Sequence, residues 1–211
     1  MRRKYTAAKC LAAAALLGIG WMLFRDGPGA GRERRVGTTV FLGDSITEFC
    51  DLAAYYPGLD AVNEGISGDT TGGMLERLER VYADAPKAVV ILGGINDILS
   101  GGEDGQVVEN LSAIVRNIHE RLPGAKIAVQ SVYPIAEGED LYFTGRIQAV
   151  NARLEALAEE LDFRYIDVFS VTRTEDGRLN GAYSDDGLHP NSAGYQAACP
   201  VVREAIAEMT G

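Results

Sequence analysis

Residues 40–49 read VFLGDSITEF and join two kinds of predicted local structure. An apolar run over 36–42 is typical of a buried strand, and the pattern after residue 45 predicts a short helix over 46–54. Gly43, Asp44 and Ser45 lie between the two. A serine at this point either caps the helix or is presented as a nucleophile at the edge of a sheet. This segment alone leaves both possibilities open.

Strand and helix patterns alternate along the rest of the chain. Strands are predicted over 36–42, 59–63, 88–92, 126–132 and 163–168, and helices over 46–54, 70–82, 106–121, 146–161 and 192–209. Five strands that alternate with helices predict an α/β protein with a parallel sheet between two helical layers. Ligands of such sheets bind beyond the carboxyl ends of the strands, so the residues just after each strand are the candidates for a site.

Polar residues follow several of these strands. Ser45 comes after the first strand, Gly68 (in EGISGDTT) after the second and Asn96 (in GGINDI) after the third. Asp186 and His189 occur in SDDGLHPN, beyond the last strand. Each motif alone also fits an ordinary turn or helix cap. Their combination predicts a site at one edge of the sheet.

The five residues together supply what nucleophilic catalysis by a serine requires. A serine hydroxyl needs a base, a histidine can take its proton, and an acid on the other ring nitrogen fixes the tautomer. His189 is the candidate base, because the only other histidine, His119, lies on a predicted amphipathic helix and is expected to be solvated. Asp186, three residues before His189, is spaced for a tight turn, and the adjacent Asp185 is spaced less well.

Hydrogen-bond donors for a developing oxyanion can also be named. The Gly68 N–H has no side chain to block approach, the Asn96 amide is a second donor, and the Ser45 N–H at a helix start is a third. Asp44 is expected to hold the turn rather than to take part in the chemistry.

The blocks FLGDSIT, GISGDTT, GGINDI and DGLHPN, in this order, resemble the four conserved blocks of the SGNH, or GDSL, hydrolase family. The resemblance runs from about residue 36 to the C-terminus and is greatest to the compact branch of platelet-activating-factor acetylhydrolase-like and lysophospholipase-type esterases. It implies a flavodoxin-like sheet of order 2-1-3-4-5 and ester hydrolysis without a metal or other cofactor. It also implies that Ser45 is the nucleophile, that Asp186 and His189 complete the triad, and that Gly68 and Asn96 line the oxyanion hole.

The first 35 residues have a different composition from the hydrolase domain predicted over 36–211. A basic start, the apolar run CLAAAALLGIGWMLF at 10–24 and a Gly/Pro/Arg-rich linker predict a membrane-targeting segment. A signal anchor is favoured over a cleaved signal peptide, because no cleavage site is obvious. Residues 36–211 hold 12 Lys/Arg and 28 Asp/Glu, a net charge of −16, which disfavours nucleic acid as a partner.

The substrate remains open at this stage. The absence of a long insertion that could form a lid favours short acyl groups such as acetyl, and acetylated sugars, lysophospholipids and thioesters all fit. Tyr142, Phe143 and Tyr183 could shape a pocket or pack on the sheet. A carbohydrate- or cell-wall-binding protein without turnover is the alternative function. Cys50 and Cys199 are expected to be neighbours, and two unreacted buried thiols are favoured over a disulfide.

The apolar run at 10–24 generates a prediction about location. The full-length protein should sediment with membranes, and its hydrolase domain should be digested when protease is added to intact spheroplasts. A matched chain that begins at residue 36 should lose membrane association and serves as the control. Recovery of full-length protein that is soluble and protected from protease would contradict the prediction.

Overall fold

The computed structural model describes residues 38–137 and 141–211. The predicted targeting segment and linker at 1–35 lie outside the described residues, as do Val36 and Gly37 at the start of the predicted first strand. Within the described ranges, no helix combines the length and apolar character needed to cross a membrane.

One sheet of five parallel strands forms the centre of the fold, and its order is β2-β1-β3-β4-β5. The strands are β1 (Thr39–Gly43), β2 (Ala61–Gly65), β3 (Ala88–Leu92), β4 (Lys126–Gln130) and β5 (Arg164–Ile166). The α/β class predicted by the strand and helix patterns and the strand order 2-1-3-4-5 implied by the family resemblance are both confirmed.

Nine helices are described around this sheet. They are α1 (Ser45–Glu48), α2 (Leu52–Tyr55), α3 (Thr71–Glu76), α4 (Glu79–Ala83), α5 (Ile95–Leu99), α6 (Asp104–Arg121), α7 (Tyr142–Leu157), α8 (Val168–Thr172) and α9 (Ser192–Thr210). Helix α6 packs between α3 and α7, and α9 packs against α2, α8 and strands β3–β5.

The core lies on both faces of the central strands. All five residues of β1 and of β3 are buried, which agrees with the continuous apolar runs expected of a parallel sheet covered on two sides. Helix α6 buries one apolar stripe, formed by Val107, Val108, Leu111, Ile114, Val115 and Ile118. The edge strand β2 instead alternates buried and exposed positions.

The register of the sheet aligns the ends of its first three strands. Gly43 at the end of β1 lies opposite Gly65 at the end of β2 and opposite Leu92 at the end of β3. The chain therefore leaves three adjacent strands at one level. Residues two to four positions further on are brought to one edge of the sheet.

Two predicted helices are each divided in the structure. The helix expected over 70–82 ends at Glu76, because Arg77 leaves helical geometry (φ −109°, ψ 19°), and α4 begins at Glu79. The helix expected over 46–54 stops at Glu48, and Asp51 caps a separate helix by accepting from the Ala54 N–H. In both cases the apolar spacing continues across a backbone break that periodicity does not detect.

Other boundaries shift by a few residues. Helix α7 begins at Tyr142, four residues before the predicted start at 146, and strand β5 covers only Arg164–Ile166 of the predicted 163–168. Helices α5 and α8 were not predicted, since five residues are too few to show a helical period.

The two domain cysteines are neighbours, as expected from the helix arrangement. Cys50 follows α1, Cys199 lies in α9, and the two thiols are close enough to shift each other's pKa. Both are free cysteines. The neighbouring Cys199 thiol, and then burial, raise the pKa of Cys50, whereas the neighbouring Cys50 thiol and the Tyr56 hydroxyl lower the pKa of Cys199.

Candidate active site

The turn after β1 presents Ser45 at the start of α1. Asp44 caps this helix: its Oδ1 accepts a hydrogen bond of 3.0 Å from the Ile46 N–H, so its expected role in holding the turn is confirmed. Gly43 is required for a reason that we did not anticipate. Its backbone is not in the left-handed region, but a Cβ there would lie 2.7 Å from the Leu92 carbonyl oxygen.

The Ser45 hydroxyl contacts the imidazole of His189. Ser45 Oγ lies 2.9 Å from His189 Nε2, although 144 residues separate the two in sequence. The serine is almost fully buried, whereas the His189 side chain keeps 29% of its exposure. The oxygen and the nitrogen that a nucleophile and its base require are therefore within hydrogen-bond reach.

Asp186 fixes the other side of the imidazole. Its Oδ2 lies 2.7 Å from His189 Nδ1, and its Oδ1 accepts from the N–H groups of Leu188 and His189 at 2.9 and 2.8 Å. Although partial burial acts in the opposite direction, the hydrogen bonds from His189 and Leu188 lower the pKa of Asp186 to about 2. The carboxyl is thus ionised at neutral pH and can only accept from Nδ1, while Nε2 lies against the Ser45 hydroxyl.

The helix that follows His189 is tied to the helix that carries Ser45. The Tyr195 hydroxyl of α9 donates a 2.7 Å hydrogen bond to the Ile46 carbonyl of α1. Asn191 caps α9 by accepting from the N–H groups of Ala193 and Gly194. The Tyr195 contact therefore ties the segment that carries His189 to the helix that begins at Ser45.

The candidate oxyanion donors follow the three aligned strand ends. Ser45 comes two residues after Gly43, and Gly68 three residues after the end of β2. Gly68 is in the left-handed region (φ +77°), and no atom lies within 4 Å of the position where a Cβ would be. Asn96 lies in the first turn of α5, and its Nδ2 donates a 2.8 Å bond to the Asp69 carbonyl. One proton of this amide is thereby used, and the second is available.

A largely buried arginine links these loops, and sequence reasoning missed it. Arg77 Nε donates to Asp69 Oδ2 at 2.6 Å, and Arg77 Nη2 donates to the Gly43 carbonyl at 2.9 Å. The two charged side chains are only 12% and 11% exposed. Arg77 therefore connects the end of β1 to the loop that contains Gly68. Loss of one partner would leave the other charge buried and uncompensated, which typically costs about 3–5 kcal/mol.

Two further contacts hold the same loop. Glu48 of α1 accepts hydrogen bonds from both the N–H and the hydroxyl of Ser67, the residue before Gly68. On the other side, Asp97 of α5 accepts from the N–H and the hydroxyl of Thr71 at 3.0 and 2.7 Å. Glu48 does not stand out in the sequence, because a charged residue on a short surface helix is most often solvated.

The remaining sequence expectations have mixed outcomes. His119 is not simply solvated, because its Nε2 donates to the carbonyls of Leu161 and Asp162 at 3.1 and 3.0 Å. Asp186, not Asp185, contacts the imidazole, and the Asp185 carboxylate accepts from Asn191 at 3.3 Å. Tyr142 is 60% exposed, whereas Phe143 packs against the core and Tyr183 is half-buried. Residues 38–137 and 141–211 contain no group of three or more side chains arranged to hold a metal ion.

A five-stranded parallel sheet of order 2-1-3-4-5, with these polar residues beyond its carboxyl edge, defines a flavodoxin-like α/β architecture with a candidate ligand site. The chain matches the GDSL-like lipase/acylhydrolase family over residues 41–197. It therefore belongs to this family, and it is an enzyme that hydrolyses carboxylic esters.

Individual relatives agree with this assignment. The chain is 27% identical over 195 residues to platelet-activating factor acetylhydrolase IB subunit alpha1 of Homo sapiens, covering 90% of this chain and 84% of that protein. It is 29% identical over 179 residues to the alpha2 subunit of Gallus gallus, covering 81% and 76%. The crystal structure of a GDSL-like lipase from Bacteroides thetaiotaomicron shares the fold, with a TM-score of 0.73 at 24% identity, covering 95% and 97%.

Asp44, next to Ser45 in the turn after β1, is a buried acid. It is fully buried, and its second oxygen, Oδ2, accepts no hydrogen bond from the described residues. Burial, with smaller contributions from the nearby carboxylates of Asp69 and Asp97, raises the pKa of Asp44 to about 7. The folded protein therefore holds a proton on this side chain that the unfolded chain releases near pH 4.

This proton predicts a pH-dependent stability. Between about pH 4 and 7 the folded state binds more protons than the unfolded state, so the Asp44 contribution to the free energy of unfolding falls as pH rises. Asp44→Asn keeps the carbonyl that accepts from Ile46 but cannot ionise. The free energy of unfolding of Asp44→Asn, relative to that of wild type, should rise by on the order of 3 kcal/mol between pH 4.5 and pH 8. Urea denaturation at each pH measures this difference.

Asp51→Asn is the matched control, because Asp51 is also a helix cap but is exposed. Its free energy of unfolding relative to wild type should change little over the same pH range. A difference between Asp44→Asn and wild type that is independent of pH would contradict the assignment of the buried proton.

Proposed function

We propose that this enzyme hydrolyses esters with short acyl groups, with Ser45 as nucleophile, His189 as general base and acid, and Asp186 as the group that orients His189. The observation that carries the proposal is the continuous series of contacts from Ser45 Oγ to His189 Nε2 (2.9 Å) and from His189 Nδ1 to Asp186 Oδ2 (2.7 Å). Membership of an ester-hydrolysing family supports it independently.

In the first half of the reaction, Ser45 Oγ attacks the ester carbonyl carbon while His189 Nε2 takes the serine proton. The resulting imidazolium is stabilised by the Asp186 carboxylate. Collapse of the tetrahedral intermediate breaks the bond to the alcohol, and His189 returns the proton to the leaving oxygen. Water then repeats the sequence on the acyl-enzyme: it gives a proton to His189, releases the acid and restores Ser45.

Each tetrahedral intermediate places a negative charge on the former carbonyl oxygen. We assign its stabilisation to the N–H groups of Ser45 and Gly68 and to the free Nδ2 proton of Asn96. The bond from Asn96 to Asp69, the bonds of Arg77 and the bonds of Glu48 restrict these donors before substrate arrives. Preorganised donors require no rearrangement during the reaction, which is the source of their large effect on rate.

The preference for short acyl groups is supported by the surface near the site. Across the described residues, only Phe49, Tyr142 and Val171 are large hydrophobic side chains with substantial exposure. A long alkyl chain would need a larger apolar surface to leave water, at roughly 0.8 kcal/mol for each buried CH₂. The mammalian and avian relatives are named as acetylhydrolase subunits, which supports acetyl as the acyl group.

The assignment of roles predicts a set of rate losses with 4-nitrophenyl acetate. Ser45→Ala and His189→Ala should each lower kcat by at least about 10³-fold, and the double variant should lose little more, because the two act as a unit. Asn96→Ala should lower kcat by about 10²–10³-fold, as loss of one oxyanion donor does.

Asp185→Asn is the matched control for Asp186→Asn. The two carboxylates are adjacent, but Asp185 bonds to Asn191 and not to the imidazole. We expect Asp185→Asn to remain within about twofold of wild type while Asp186→Asn loses most of its activity. Near-wild-type turnover by a folded Ser45→Ala protein, shown by its circular dichroism and melting curve, would refute the proposal.

The acyl preference predicts a decline along a series of 4-nitrophenyl esters. The value of kcat/KM should be highest for acetate and should fall steadily through butyrate, hexanoate and octanoate at concentrations below micelle formation. The single leaving group keeps the intrinsic reactivity nearly constant. A maximum at octanoate, with acetate a poor substrate, would contradict the short-acyl proposal and leave the assignment of Ser45 intact.

A further inference from the structure

One exposed aromatic ring lies directly against the imidazole. Phe49 directly follows helix α1 as its C-cap, where its N–H donates a 3.0 Å bond to the Ser45 carbonyl, so it is held one turn beyond the serine. Its ring centroid is 5.3 Å from that of His189, and the two ring planes are tilted by 54°. The Phe49 side chain is nevertheless 56% exposed.

Core packing does not account for this ring. Exposure of a large aromatic side chain forgoes much of the free energy that its burial would supply. Within the described chain, Phe49 is one of three large hydrophobic residues with this degree of exposure, and the only one of the three in ring contact with a proposed catalytic residue. The exposed face of the Phe49 ring is therefore available to contact a part of the substrate that approaches His189 from solvent.

The chemistry determines which part of the substrate approaches. His189 Nε2 must give a proton to the leaving oxygen, so the alcohol portion of the ester has to come within hydrogen-bond distance of this ring. The carbonyl oxygen is held elsewhere, by donors that follow β1, β2 and β3. A side chain packed on the imidazole is consequently beside the alcohol and not beside the carbonyl oxygen.

We propose that Phe49 is a specificity-determining residue that contacts the leaving alcohol and favours alcohols with an aromatic or apolar face. The inference rests on the proposed roles of Ser45 and His189 and extends them to the substrate. An aromatic face offers edge-to-face or offset stacking with planar groups and apolar contact with flat rings. A small alcohol such as methanol reaches His189 without touching the ring.

Benzyl acetate and methyl acetate test this contact. Their alcohols have similar basicity, so the two esters differ mainly in the ring that could touch Phe49. The quantity to measure is the ratio of kcat/KM for benzyl acetate to kcat/KM for methyl acetate. Phe49→Ala should lower this ratio about fivefold, which corresponds to about 1 kcal/mol, and Phe49→Leu should lower it less.

Tyr142→Ala is the matched control, since Tyr142 is an equally exposed aromatic residue whose ring contacts are to Phe143 and Arg146. It should leave the ratio unchanged. The ratio of methyl butyrate to methyl acetate should also be unchanged in Phe49→Ala, because the acyl side is not involved.

Four results would overturn the inference. An equal loss for benzyl and methyl acetate in Phe49→Ala would show that the ring only supports the imidazole. A change only in the ratio of methyl butyrate to methyl acetate would show that Phe49 contacts the acyl group and not the alcohol. If the wild-type enzyme is inactive on both acetates, the proposed function and this inference both fail. If the wild type is active but the benzyl-to-methyl ratio is unchanged in Phe49→Ala, the inference alone fails.

Discussion

The arrangement of the site depends on the in-register parallel pairing of β1 with β2 and β3. Because Gly43 is level with both Gly65 and Leu92, the three strands end together, and the loops that follow them start from the same edge. The backbone hydrogen bonds that fix this register lie within the buried core, so they cannot slip without moving apolar side chains to the wrong face. Ser45, Gly68 and Asn96 therefore take their positions from the sheet rather than from flexible loops.

The imidazole comes from a distant part of the chain and needs separate support. Its loop is closed by the Ser184–Pro190 bridge, its tautomer is fixed by Asp186, and its helix α9 is tied to α1 through Tyr195. The largely buried pair of Arg77 and Asp69 likewise holds the loop that contains Gly68 against the end of β1. Polar contacts of this kind add little net stability, but they favour one arrangement of the loops over its alternatives, which is what a preorganised oxyanion hole requires.

The strands and the candidate site residues were predicted from the sequence, whereas the side chains that hold the loops in place were not. Continuous apolar runs gave the strands of a two-sided parallel sheet, and the four polar motifs gave the residues at its edge. Arg77, Glu48 and Tyr195 could not be found in this way, because their roles depend on which loop each side chain reaches after folding. The division of the helix at Arg77 was missed for a different reason. The apolar spacing at Met74, Leu78 and Val81 continues across the break, so periodicity does not reveal it.

The central claim is that Ser45 is a nucleophile activated by His189. The most direct measurement is the rate of covalent labelling by a fluorophosphonate, followed by intact mass and peptide mapping. Wild-type protein should gain one adduct on the peptide that contains Ser45, Ser45→Ala should gain none, and His189→Ala should react at least about 10³-fold more slowly. Labelling of Ser45→Ala at the wild-type rate, or an adduct mapped to another residue in the wild type, would contradict this account.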